Sequence, residues 1–370
     1  MIFTELRFVA LFIACWISFY LAPRRYRAAV LTFWGAAFYL VYAGPFFAVV
    51  LILALLTFFG RMAWIAGFAT IALLVYFKAG TTSFLIPLGF SYLAFELLHV
   101  VIERRRGRIE SLSLPDLLAF VFFAPARIAG PIKRYPQFVA AVRDAEPSSE
   151  NVYAGLLRIL FGLAKKFFLA DILGQTVAQS VWVASPAYAW IVVFAYSLQI
   201  WLDFGAYSDI AIGLGRTLGI VLPENFRAPY LAKNIREFWE RWHITLSQWV
   251  RDYVFTPAGR SLFGTPLRRV PVVIAVVCYL VTFVIVGAWH GLTGGFLLWG
   301  AYHGVLLSLY HVVRVETPAW VADHPWYDSR AVRLASIAFT FLCVTIGWVP
   351  FMLPLPKAAK MLALMFGIHQ

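Results

Sequence analysis

Apolar residues gather in long blocks along this chain. Blocks at about 8–22, 28–43, 46–60, 62–77 and 83–102 are separated by Arg24, Arg25 and Arg27, by Gly44-Pro45, by Arg61, by Lys78 and by the polar run Glu103 to Arg108. Each predicts a bilayer-crossing helix, although several fall short of the ~20 residues that span the hydrocarbon core. From 112 the pattern breaks: Pro115, Pro125, Pro131 and Pro136 interrupt the apolar run, and Arg127, Lys133 and Arg134 punctuate it. Irregular backbone survives at membrane depth only when buried in protein or lining a cavity, so a re-entrant or interfacial element is expected here. Residues 136–150 read as a polar loop and Asn151 to Ala170 as an amphipathic helix.

A long apolar stretch, 186–222, carries Asp203, Asp209 and glycines at 205, 213, 215 and 219, a mixture typical of closely packed membrane helices. Clear spans resume at 271–289, 294–313 and 333–353, and a short apolar tail occupies 358–369. The pattern predicts an all-α integral membrane protein, one domain over 1–370 with about ten spans and interfacial helices between them.

Composition sharpens this picture. The 370 residues are 62% hydrophobic and only 13% charged, with a mean hydropathy of +0.79. A soluble domain needs roughly 25% charged residues to cover its surface. The net charge of +13 comes from short clusters between apolar blocks, the arrangement of juxtamembrane anchors rather than of a nucleic-acid-binding face. Placing the N-terminus outside the cytoplasm puts the clusters at 24–27, Arg61 and 103–108 on the cytoplasmic side, with block 8–22 kept as the first span. Cys15, Cys278 and Cys343 lie apart in apolar segments and behave as small hydrophobes.

Between 223 and 269 eight basic residues face four acidic ones among many aromatics, which suits helices at the cytoplasmic interface. Asn234 to Asp252 reads as one helix, with Glu237 and Arg241 paired four apart and Trp239, His243 and Ser247 on a common face. Arg251 and Asp252 are expected to pair and fix where the helix enters. His290 ends an apolar span in Gly287-Ala288-Trp289-His290-Gly291, where glycines admit a substrate or another backbone close to the imidazole. An imidazole titrating near neutral pH is the usual general base for a hydroxyl nucleophile. His303 is a further candidate of the same kind, and Trp242 and Trp289 are candidate lining residues. No zinc-ligand spacing and no nucleophile elbow occurs, so neither a metal site nor a serine nucleophile is expected. Broken helices with midplane polar residues are also compatible with a transporter or a non-catalytic scaffold.

Four stretches together resemble the membrane-bound O-acyltransferases. They are Leu222-Pro223-Glu224-Asn225-Phe226-Arg227-Ala228-Pro229-Tyr230, Phe238-Trp239-Glu240-Arg241-Trp242-His243, Trp249-Val250-Arg251-Asp252-Tyr253 and Gly287-Ala288-Trp289-His290-Gly291. Pro87-Leu88-Gly89-Phe90-Ser91, Ala129-Gly130-Pro131-Ile132 and Tyr207-Ser208-Asp209 extend the likeness. The resemblance is to the bacterial branch that acylates cell-surface polymers. It implies a helical fold around a central tunnel, with His290 catalytic and His243 its active-site companion; in an acyl transfer His243 is expected to hold or polarise the donor carbonyl. Asn225, Trp242, Ser247, Trp289 and His303 are then expected to bind substrate or line the tunnel. It also implies a thioester co-substrate, acyl-CoA (acetyl-CoA above all) or an acyl carrier protein, and no tightly bound cofactor. The acceptor expected is an extracytoplasmic polysaccharide, reached with an esterase-like partner outside the cytoplasmic membrane of a bacterium.

Overall fold

The computed structural model describes residues 2–79, 89–146, 148–178, 185–317 and 329–368. Pro87, Leu88 and the first part of block 83–102 lie outside these described residues. Helices follow the apolar blocks closely: α1 (Leu6–Leu21), α2 (Arg27–Ala43), α3 (Phe46–Phe58), α4 (Ala63–Ala79) and α5 (Phe90–Arg105). After them come α6 (Leu114–Val121), α7 (Tyr135–Arg143), α8 (Ser149–Ala164), α9 (Asp171–Ala178) and the long α10 (Pro186–Thr217). The chain continues through α11 (Ile235–Arg241), α12 (Ile244–Val250), α13 (Thr256–Phe263), α14 (Pro271–His290), α15 (Gly294–Glu316), α16 (Arg330–Met352) and α17 (Leu355–Met365). No strand occurs among the described residues. Five helical stretches there are long and apolar enough to cross a membrane: Gly60–Ala79, Pro186–Thr217, Pro271–His290, Gly294–Val315 and Arg330–Met352.

The chain divides into two compact units, the first comprising Met1–Lys166 and Phe204–Glu224, the second Phe167–Asp203 and Asn225–Gln370. In the first unit, α8 packs against the second half of α10 where two glycines meet. A Cβ added at Gly155 would stand 2.7 Å from the Gly213 carbonyl oxygen, and one at Gly213 2.7 Å from that of Gly155. Helix packing is therefore the use of Gly213, while Tyr153, Leu156, Leu160 and Phe161 stay exposed, as the amphipathic pattern of α8 predicts.

The proline-broken segment after α6 is anchored by charge. Glu96 on α5 is fully buried and receives both the Arg127 guanidinium and the Lys133 ammonium, the latter at 2.5 Å, and both of these cations are buried as well. A second close approach holds the same segment: Gly89 at φ +68 packs directly against the Arg127 carbonyl oxygen, where a Cβ would come within 1.8 Å. Irregular backbone at this depth is thus buried in protein, as the prolines require.

In the second unit α14 and α15 form a hairpin whose backbones touch. Cβ atoms at Gly287 and Gly300 would lie 2.3 Å from the Phe296 oxygen and 2.2 Å from the Phe283 oxygen. Small residues of this kind let membrane helices approach and gain dispersion contact. The Tyr302 hydroxyl donates to the Cys343 carbonyl (2.9 Å), tying α15 to α16.

Two outcomes are expected in thermal unfolding of the detergent-solubilised protein. Gly300→Ala must push two backbones apart and should cost about 1–3 kcal/mol, or more, whereas Gly205→Ala, which meets open space within α10, should be neutral or stabilising by up to about 1 kcal/mol. Equal stability for the two variants would show that the hairpin is not held by backbone contact. Glu96→Gln leaves two buried cations without their carboxylate and should lose about 3–5 kcal/mol; wild-type stability in that variant would contradict the anchoring role of Glu96.

Candidate active site

The residues from 225 to 245 do not form the single helix that the pattern of Asn234 to Asp252 suggests. The Asn234 side chain caps α11 by accepting from the Glu237 N–H (2.9 Å), and the predicted Glu237–Arg241 pair forms at 2.6 Å. The helix then stops, because His243 adopts φ +42, ψ +52, a left-handed conformation that no right-handed helix can continue through. The common face of Trp239, His243 and Ser247 is lost with it. Ser247 Oγ donates to the Trp242 carbonyl (3.2 Å), not to His243. α12 gives way to a π-helical turn over Arg251–Phe255, where Arg251 and Asp252 pair at 3.3 Å on the surface.

Asn225 bridges the break. Its main-chain oxygen accepts from the Ile244 N–H (2.9 Å), and its side-chain oxygen accepts from the N–H and Oγ1 of Thr245 (3.4 and 2.9 Å) and contacts His243 Nδ1 at 3.1 Å. Asn225 and His243 are buried, and the Asn225 side chain contacts the histidine ring. Burial pushes the His243 imidazole down to about 3, which keeps the ring neutral at physiological pH.

The second histidine phrase ends α14. Gly291 packs on the Phe296 ring and Gly287 on the α15 backbone, so these glycines bring a second helix, rather than open space, beside His290. The half-buried His290 ring is enclosed by Trp289 (centroids 4.5 Å), Phe351 (4.9 Å), Trp299 (5.3 Å) and Phe296 (5.9 Å). Trp289 also lies 6.3 Å from the His243 ring, so both histidines flank one indole. Trp242 joins the group by packing on Trp348 at 5.1 Å.

His303, fully buried on α15, stands 5.1 Å from Trp299 and 5.2 Å from Trp239. Among the described residues neither ring nitrogen of His303 has a hydrogen-bond partner, nor do Nε1 of Trp239 and Trp299 or Oγ1 of Thr282. Buried polar atoms left unpaired cost about 1–3 kcal/mol each, so this concentration marks a place built for more than packing. Trp239 and Thr282 also line a cavity of about 710 Å³. Its wall on α14 is the stripe Pro271, Ile274, Cys278, Thr282 and Val286, which by helix rise extends ~22 Å. Ser247 and Arg251 line it too. No group of three or more metal-ligating side chains converges among the described residues.

The sequence pointed to Asn225, Trp242, His243, Trp289, His290 and His303, and the structure brings them together; Glu237 pairs with Arg241 and Arg251 with Asp252. Thr245, Trp299, Trp348 and Phe351 were missed. Nothing in the local sequence separates the three aromatics from ordinary apolar lining of a span.

Over residues 46–328 the chain matches the model of the membrane-bound O-acyltransferase family, and it belongs to that family. It is 34% identical over 292 residues to the probable alginate O-acetylase AlgI of Pseudomonas putida, covering 77% of this chain and 56% of the relative. It is 33% identical over 276 residues to the teichoic acid D-alanyltransferase of Bacillus subtilis (71% and 68% covered). Over 264 residues it is also 33% identical to the peptidoglycan O-acetyltransferase of Helicobacter pylori (69% and 47%). The chain spans about half the length of the alginate O-acetylases it matches.

The buried His243 has a consequence for pH. Its folded-state value lies below the ordinary 6.5, so the unfolded chain binds the extra proton between about 3 and 6.5. Its contribution to stability is complete above pH 6.5 and falls away as the pH drops through that window. Melting temperature should therefore fall more steeply from pH 6.5 to pH 4 in the wild type than in His243→Gln; parallel curves would mean that the ring is not held neutral by burial.

Proposed function

We propose that this protein is an acyltransferase that moves an acyl group, acetyl above all, from a thioester donor to a hydroxyl of a cell-surface polysaccharide or of a partner transferase. The observation that carries the reading is that the His243 and His290 rings both lie beside Trp289, with centroids 6.3 and 4.5 Å away, within a chain of the membrane-bound O-acyltransferase family. The three relatives named are acyl- or acetyltransferases of surface polymers by their own descriptions, which supports the substrate class.

In this reaction the acceptor oxygen forms a bond to the acyl carbon and the carbon–sulfur bond breaks. His290 takes the hydroxyl proton and returns one to the departing thiolate, so the enzyme ends unchanged. His290 is the last residue of α14, so a forming imidazolium sits at the negative end of the helix dipole, an effect of about 0.3–1 kcal/mol. Four aromatic rings about the imidazole lower its exposure to solvent.

The wider reading has about ten spans around a tunnel, in the cytoplasmic membrane of a bacterium with the N-terminus outside. Acyl-CoA or an acyl carrier protein delivers the thioester from the cytoplasm, and an esterase-like partner completes transfer outside. The shorter apolar helices Leu6–Leu21 and Phe46–Phe58 support a span count above five.

His290→Ala should abolish ester-linked acyl groups on the surface polysaccharide, measured by mass spectrometry at matched membrane abundance of the two proteins. The mass added by the wild type identifies the group. Unchanged acylation by the variant would remove His290 from the chemistry and favour a transporter or scaffold.

A further inference from the structure

The hydrogen bonds at Asn225 determine which nitrogen of His243 carries hydrogen. A side-chain amide can be turned either way, so its orientation has to be read from its neighbours. Here the Thr245 backbone N–H, which can only donate, faces the Asn225 side chain at 3.4 Å, so the atom it meets is the oxygen. That oxygen can only accept. The His243 Nδ1 at 3.1 Å from it therefore carries the hydrogen, and the lone pair of the neutral ring lies on Nε2.

Every member of this network is immobilised. Asn225 is fully buried, Thr245 is 4% exposed, and Asn225 is held from its own main chain by the Ile244 N–H. The Thr245 hydroxyl, at 2.9 Å, adds a further donor to the same oxygen, which keeps the amide from turning over. Second contacts of this kind fix the tautomer and orientation of a reactive histidine in other enzymes, and losing them costs activity more than fold.

We infer that Asn225 and Thr245 are positioning residues that lock His243 in its Nδ1–H tautomer, leaving the lone pair of the neutral ring on Nε2. This rests on the acyltransferase reading and divides the labour within it. A group that polarises the donor carbonyl must donate a hydrogen, and the nitrogen left to His243 bears a lone pair. In this tautomer Nε2 of the neutral His243 ring does not donate to the donor carbonyl. His290, at the helix terminus, remains the group that takes the proton.

The test reads the tautomer directly. The full chain, labelled with ring-15N histidine and held in lipid nanodiscs, is examined by NMR, with the His243 signals assigned by their loss in His243→Gln. The wild type should show a protonated Nδ1 and an unprotonated Nε2, and Thr245→Ser, which keeps both donors to Asn225, should show the same. Asn225→Ala should give a mixture of tautomers and at least a tenfold fall in polysaccharide acylation at matched membrane abundance. Thr245→Val, which keeps the backbone donor and loses the hydroxyl, provides a milder variant with an intermediate loss if Asn225→Ala does not accumulate. A protonated Nε2 in the wild type overturns the lock. A mixed tautomer with full acylation in either variant overturns its importance for transfer. The spectrum needs no substrate, so the lock stands or falls apart from the acyltransferase reading, which fails separately if His290→Ala still transfers.

Discussion

Two short helices that meet at a left-handed residue leave the first N–H groups of the second helix without intrahelical partners. Asn225 supplies what is missing. Its main-chain and side-chain oxygens take the Ile244 and Thr245 amides, and the Arg227 N–H donates in turn to the Arg241 carbonyl at the end of α11. The segment from Asn225 to Arg227 is therefore laid along the break between α11 and α12, and that placement sets where His243 stands. The strain of a non-glycine residue at positive φ, of order 1–3 kcal/mol, persists because these bonds over-determine the conformation.

Around this splice the second unit provides a rigid wall. α14 and α15 touch through their backbones at Gly287 and Gly300, which leaves their aromatic side chains crowded along one side of the hairpin. Trp289, Phe296 and Trp299 come from this hairpin and Phe351 from α16, so three consecutive helices place rings about one imidazole.

Much of this was legible in the sequence because membrane-spanning helices are written in runs of apolar residues. The block at 271–289 became Pro271–His290 and that at 294–313 became Gly294–Glu316. The break at His243 was not legible. Helical spacing from Asn234 to Asp252 is unbroken, and no glycine or proline marks the left-handed turn; it is enforced from outside by Asn225, nine residues before Asn234. Tertiary hydrogen bonds override local pattern at such points, and here the override falls at a candidate site residue, where conflict between levels is expected. The aromatic partners of His290 were hidden for the opposite reason. Trp299 and Phe351 sit in spans where any large apolar residue satisfies the pattern, so only three-dimensional proximity distinguishes them.

The chain has fourteen tryptophans, and five of them, Trp239, Trp242, Trp289, Trp299 and Trp348, belong to the nest around the three histidines. Indole emission depends on local polarity and on nearby quenching groups, and an imidazole beside an indole is one such group. The protein thus carries an optical probe concentrated at the place where its histidines meet, in a region that an attached dye would disturb. Occupancy of that region is written into the protein's own fluorescence.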